Sequence, residues 1–340
     1  MSSKEEVIEW PSEFIKNVIS EVIQNENIKD FTTRVAAASI SIGENFMGLL
    51  CRVSVTGIKD NGETAKLSLV LKVPPQSEKV REMFPVESLY TKEVFVYNIM
   101  LPELCALEEK YNVPQSERFQ QIKCLKEGFR MANRRESLGF KHLKLVLKSM
   151  ASFHALSFVL KKQNPEKFSE LANSAGGLKD YNMYTYPEAA EPYTVLCHGD
   201  FWNNNILFKF EEDEPVDVRI LDWQVSRHCS PITDIAYLIF AGTDYDTRKE
   251  HLHYLLEYYH QCLSKKLSLM DCDIKNFFPK TVFDEHVKKF LSYGIYMAIM
   301  LLPSVCGEAE DVPDIDTVLA KEKVTVDDLH FYFNIPKLHL

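Results

Sequence analysis

Residues 195–208, VLCHGDFWNNNILF, followed by 218–224, VRILDWQ, restrict what this chain can fold into more than any other part of it. Residues 193–197 form a short β-prone run that ends at His198, and β character resumes at Ile206, Leu207 and Phe208. Val218, Ile220 and Leu221 make another such run, closed by Asp222. The pattern predicts strand, loop, strand, with two polar loops facing each other across one small sheet. Those loops carry His198-Gly199-Asp200, Asn205 and Asp222, a set that suits phosphoryl transfer. A phosphoryl group bridged by Mg²⁺ is already electrophilic, so the protein must mainly supply one carboxylate to orient and deprotonate a hydroxyl, and oxygen ligands for the ion. Asp200 fits the first task. Asn205 and Asp222 fit the second, because a hard ion prefers carboxylate and amide oxygens together with substrate phosphates. Asn203 and Asn204, taken alone, read as the polar turn of a β-hairpin.

A phosphate clamp is expected upstream. Residues 67–73, LSLVLKV, form an apolar strand that carries Lys72, and 90–100 reads as a helix with Glu93 near its start. A lysine that holds α and β phosphates needs a partner to keep it in place, and a helix glutamate is the usual one. An ordinary exposed pair, contributing little, is the competing reading for Lys72 and Glu93. Residues 35–42 and 49–55 are β runs separated by GENFMG, with Gly43 and Gly48 at its ends. Glycines there let backbone N–H groups approach phosphate closely, although a plain hairpin turn has the same signature.

The rest of the chain supports these loops. A helix is expected over 10–25, and a long one over 140–161, with Leu143, Val146, Leu147, Met150, Phe153, Leu156 and Val159 on one apolar stripe. His154 beside that stripe reads as a core or loop-bracing histidine. Asp234 falls in the first turn of a helix opened by Pro231, where a carboxylate meets free N–H groups. Helices over 250–267 and 282–302 carry Tyr254, Tyr258, Tyr259, Phe290, Tyr293, Tyr296 and Met297. These residues suit either an apolar substrate cleft or an ordinary core.

Composition excludes several classes. At 340 residues, with 46% hydrophobic and 26% charged residues, the chain can build two lobes, each with a core. A formal net charge of -10 argues against a nucleic-acid surface, which needs clustered Lys and Arg. The eight cysteines show no paired or metal-like spacing, the N-terminus lacks an apolar leader core, and the apolar run 295–305 is too short to span a bilayer. A reduced, cytoplasmic protein without a membrane span is expected.

The wording HGDxxxxN with a later LDW resembles the catalytic and metal loops of the aminoglycoside phosphotransferase and choline kinase group. HGDFWNNNILF together with ASFHALSF upstream resembles the ecdysteroid kinase-like, or CHK kinase-like, family more closely, from about Gly43 to the C-terminal helices. The resemblance implies an α+β, protein-kinase-like fold with a small antiparallel-sheet lobe, 1–124, and a mainly helical catalytic lobe, 125–340. It implies ATP and Mg²⁺, Asp200 as catalytic base, Lys72, Glu93, Gly43 and Gly48 on the nucleotide, Asn205 and Asp222 on the metal, and His198 and Asp234 as structural support. The acceptor implied is a hydroxylated lipophilic small molecule, an ecdysteroid or similar compound.

The chain also departs from that family. An apolar strand pair and an acidic hinge expected around Cys124–Leu125 are absent from the sequence, and a second contraction falls between Phe168 and Tyr193. A kinase-fold binding protein without turnover, or a shortened form lacking the hinge, is therefore the alternative to an active kinase. A metal-dependent hydrolase built on His198, Asp200 and His228 lacks the HxxxH or HExxH spacing it would need.

Overall fold

The computed structural model describes residues 13–37, 49–75, 78–83, 85–121, 129–133, 136–176 and 187–306. They fall into two compact units divided between Val86 and Glu87. The expected boundary at 124–125 falls outside the described residues, and the described segments on either side of it, 87–121 and 129–133, both belong to the second unit. The reason is packing: the helical segment 96–107 contributes Val96, Met100, Leu101, Leu104 and Leu107 to the core shared by the C-terminal helices.

In the first unit, helix α1 (Glu13–Asn25) precedes strands β1 (Ile28–Ala37), β2 (Leu49–Lys59) and β3 (Thr64–Val73). These form a three-stranded antiparallel sheet in the order β1-β2-β3. Cys51, Val53 and Val55 are buried while Ser54 and Thr56 are exposed, the period of two expected when a sheet has one covered face. Ile19 and Ile23, four residues apart on α1, share a core with that face. Full burial of one such aliphatic side chain contributes about 1.5–3 kcal/mol. Lys72 stands opposite Leu50 near the end of β3. Gly43, Gly48 and the junction at Cys124–Leu125 lie outside the described residues.

The second unit follows a short helix α2 (Glu78–Met83) and opens with α3 (Val86–Phe95), a π-helical turn (Val96–Met100) and α4 (Leu101–Lys110). Helix α5 (Phe140–Gln163) is its centre, with the whole expected apolar stripe at no more than a trace of exposure. By length and composition α5 could cross a bilayer, but 78% of its most apolar window is buried in the unit, so it serves as the core helix. Around it lie α6 (Pro165–Ser174), α7 (Pro231–Gly242), α8 (Tyr245–Ser268) and α9 (Lys280–Cys306). Helix α9 packs on α7 at Gly294, where a Cβ would run into the backbone carbonyl of Ala236.

The strands of this unit correct one expectation. Segments on either side of the His198-Gly199-Asp200 turn belong to different sheets. Strand β5 (Val195–Cys197) pairs antiparallel with β8 (Arg227–Cys229), whereas β6 (Ile206–Glu211) pairs with β7 (Glu214–Ile220) and with β4 (Phe129–Met131). The turn thus bridges two small sheets. Asn203 and Asn204 do not close a hairpin: with Asn205 they form a buried 3₁₀ turn leading into β6.

Candidate active site

The His198-Gly199-Asp200 turn is held from below by a carboxylate. Asp234, in the first turn of α7, accepts from the backbone N–H of His198 at 2.7 Å and of Gly199 at 2.9 Å. Two converging N–H groups favour an ionised carboxylate. Burial opposes ionisation, but the His154 hydrogen bond and the Gly199 N–H keep the Asp234 pKa below its ordinary value. His154 is itself fully buried on α5, with Nε2 at 3.3 Å from Asp234 and Nδ1 sharing a 2.7 Å hydrogen bond with the Tyr259 hydroxyl. Burial lowers its pKa. Hydrogen bonds thus run as one chain from Tyr259 on α8 through His154 on α5 and Asp234 on α7 to the turn.

His154, Cys197 and Asp234 place potential metal-ligand atoms within 4.8 Å of one another. Both ring nitrogens of His154 and both oxygens of Asp234 are already engaged in the bonds just given, so this trio reads as a structural network. Gly199 has φ +91°, and a Cβ there would run into the Val225 carbonyl. The backbone conformation and the lack of space both require glycine at this position.

His198 turns inward. Its Nε2 lies 2.7 Å from the Leu221 carbonyl, and its ring sits 4.6 Å from that of Trp223. The histidine therefore ties the Asp200 turn to the Asp222 loop from the inside. Asp222 has φ +60°, a left-handed conformation that aspartate tolerates better than most residues. That conformation turns the chain sharply just after β7.

Asp200 and Asn205 are joined directly. Asn205 Nδ2 donates to the Asp200 carbonyl at 2.8 Å and to Asp200 Oδ2 at 2.9 Å, which leaves Asn205 Oδ1 outside the pair. Tyr237 donates its hydroxyl to Asp200 Oδ1 at 2.8 Å. Burial, and next the charge of Asp222, raise the Asp200 pKa above the ordinary carboxylate value. Two carboxylates close enough to oppose each other's ionisation, with an amide oxygen beside them, form a donor set suited to a hard divalent cation. Asn205 Oδ1 and the Asp222 carboxylate are the groups that would hold it.

Glu93 on α3 belongs to the same neighbourhood. Burial first, then the charges of Glu93 and Asp222, raise the pKa of Tyr90 and Tyr97, and Tyr97 also has a hydrogen bond with the Asp222 backbone. Lys72 is in the other unit, partly buried on β3. Of the expected site residues, the second unit gathers Glu93, His198, Asp200, Asn205, Asp222 and Asp234.

Tyr237 escaped the sequence reading, although the signal was available. It lies three residues after Asp234 on a helix, hence on the same face. Of the two readings open for the aromatic residues of the C-terminal helices, Tyr259 and Phe290 follow the core one. A cavity of about 650 Å³ lies elsewhere, between the end of α7, the start of α8 and α9. Its walls include Phe240, Ala241, Leu252, Ile295, Ile299 and Leu301, and Arg248 and Lys249 also line it.

Among known proteins, none of the curated sequences matches this chain. A solved structure, the GDP and kanamycin complex of APH(2")-IIia, is similar over 84% of this chain and 97% of its own. Its identity is 14% and its TM-score 0.35, a likeness too slight to carry an argument. The ecdysteroid kinase-like family model matches residues 42–184 and 175–272. Those stretches cover well over half of the chain, and they include Lys72, Glu93 and every site residue from His198 to Asp234: the chain belongs to the ecdysteroid kinase-like family.

Proposed function

We propose that the chain is an ATP-dependent kinase that phosphorylates a hydroxyl of a lipophilic small molecule, an ecdysteroid or a similar compound. The observation that carries this reading is the locked pair of Asp200 and Asn205 facing Asp222. The Asp200 carboxylate takes the proton of the acceptor hydroxyl as the acceptor oxygen bonds to the γ-phosphorus and the bond to the departing ADP oxygen breaks. Mg²⁺, bound by Asn205 and Asp222, would neutralise the charge of the phosphates. Lys72, Glu93, Gly43 and Gly48 are assigned to the nucleotide, Lys72 to its α and β phosphates. A cytoplasmic location, where ATP is abundant, belongs to the same proposal.

The acceptor class is supported by the largely apolar cavity along α7 and α9, one helical turn beyond Tyr237 at Ala241. Apolar walls with few polar groups suit a hydroxylated, sterol-like molecule better than a polycation. Transfer of labelled phosphate from Mg²⁺-ATP to a panel of ecdysteroids, sterols and, as a polar contrast, kanamycin tests the reading. Label is expected on hydroxylated lipophilic acceptors and none with Asp200→Asn. Equal transfer by Asp200→Asn would reject the assignment.

A second reading is a kinase-fold binding protein without turnover. It is favoured by the small sheet of the first unit, which has three strands among the described residues. Retention of an apolar acceptor without label transfer, in protein that binds Mg²⁺-ATP weakly or not at all, would establish it over the first.

A further inference from the structure

The carboxylate of an aspartate turns about a soft, roughly two-fold torsion, so a base that must meet a hydroxyl at one angle needs its plane fixed from outside. In this site each oxygen of Asp200 has its own donor: Asn205 Nδ2 on Oδ2 at 2.9 Å, and the Tyr237 hydroxyl on Oδ1 at 2.8 Å. One donor would leave the carboxylate free to swing about the bonded oxygen. Two donors from different elements, the 3₁₀ turn and α7, fix the plane. An ionised carboxylate has about four lone-pair directions, so two are still open to an acceptor.

Tyr237 is in turn held rigidly. It is almost fully buried, and its ring meets that of Tyr293 edge-on at 6.4 Å and 90°. The Tyr293 hydroxyl accepts from Arg227 Nη2 at 2.6 Å, and the guanidinium lies 5.4 Å from the centre of the same ring. Trp202 closes the cluster. Helix α7 therefore grips the turn twice, by its backbone through Asp234 and by its reacting side chain through Tyr237.

We propose that Tyr237 is a positioning residue for phosphoryl transfer, which fixes the Asp200 carboxylate so that an open lone pair meets the acceptor hydroxyl, with Tyr293 and Arg227 holding Tyr237 in place. This rests on the kinase reading given above. Tyr237→Phe removes only the hydroxyl and keeps the ring in its cluster. With Mg²⁺-ATP and ecdysone as probes, kcat should fall about 10–100-fold, the loss typical of a misplaced reacting group, while the KM for ATP stays within about twofold. Tyr293→Phe should give a smaller fall in kcat, again without a change in KM.

Unchanged kcat in Tyr237→Phe would overturn the proposal. So would a loss in which kcat, KM and melting temperature all worsen together, because that marks a structural role only. Crystal structures of wild type and Tyr237→Phe judge the proposal separately from the kinase reading. Should the wild type itself transfer no phosphate, the kinase reading fails on that result. A rotated or split Asp200 carboxylate in the variant then supports the positioning role, and an unmoved one overturns it.

Discussion

At the scale of single residues, the proposed reaction separates groups that act on the acceptor from groups that hold the nucleotide. Asp200→Asn removes the proposed base but keeps a side chain that can still pair with Asn205. Phosphoryl transfer should fall by about 10²–10⁴-fold while Mg²⁺-ATP affinity is largely kept. Calorimetric titration beside a transfer assay checks both halves, and unchanged turnover would reject the role. Gly199→Ala places a methyl group against the Val225 carbonyl at a positive φ. It should cost activity and stability together, visible as a lower melting temperature.

The candidate set Asp200, Asn205 and Asp222 stood out in the sequence as polar residues at short spacings beside β runs, and Asp234 as a carboxylate in the first turn of a helix. The spacing to Asp234 put Tyr237 on the right face but did not single it out, because an apolar helix such as α7 offers many residues for burial, and only packing selects the one that reaches the carboxylate. Asn203 and Asn204 misled for a similar reason. Polar residues in a row suggest a solvated turn, but here the turn is covered by protein.

At the scale of elements, long helices were read closely from periodicity, while strand partners were not. Helix α5 was expected over 140–161 and ends at Gln163, since its stripe repeats over many turns. Strands β5 and β8 are three residues each, and their pairing is decided by the path of the loop between them. No local pattern records that path.

Two predictions belong to elements. Lys266 on α8 and Glu108 on α4 form a buried ion pair, and Glu108 Oε1 also accepts from the Phe119 N–H at 2.8 Å. Glu108→Ala would strand a buried ammonium and should cost about 3–5 kcal/mol in denaturant unfolding, against near zero for an exposed pair. A loss below 1 kcal/mol, the exposed-pair range, would show that the pair is solvated in solution. His286 on α9 meets Ser230 at 2.8 Å, and burial, then the charge of Lys289, push its pKa down from 6.5 to about 4. The unfolded chain then binds more protons between those values, so stability falls as pH drops through that window and is complete above it. In His286→Asn, the melting temperature should fall less steeply over the same pH range. An identical slope would contradict a buried, neutral imidazole.

At the scale of the whole molecule, two units with separate cores should respond separately to core damage. Ile23 is fully buried between α1 and the sheet of the first unit. Ile23→Ala should destabilise that unit by about 2–5 kcal/mol. Hydrogen exchange should show the loss in α1 and strands β1 to β3 and unchanged protection in α5 and α7, whereas a uniform loss would mean one cooperative core. The division at Val86 was not legible beforehand because a boundary drawn from motif order follows function, while packing follows the apolar faces of 96–107.

The proposed reaction requires Asp222 and Asn205 to bind a metal-bound nucleotide for Asp200 to use. The most direct test is calorimetric titration of ATP, with and without Mg²⁺, into wild type, Asp222→Ala and Asp200→Asn. Mg²⁺-dependent binding is expected in wild type, similar binding in Asp200→Asn and a marked loss in Asp222→Ala. Equal affinity in wild type and Asp222→Ala, or binding that ignores Mg²⁺ throughout, would contradict that requirement.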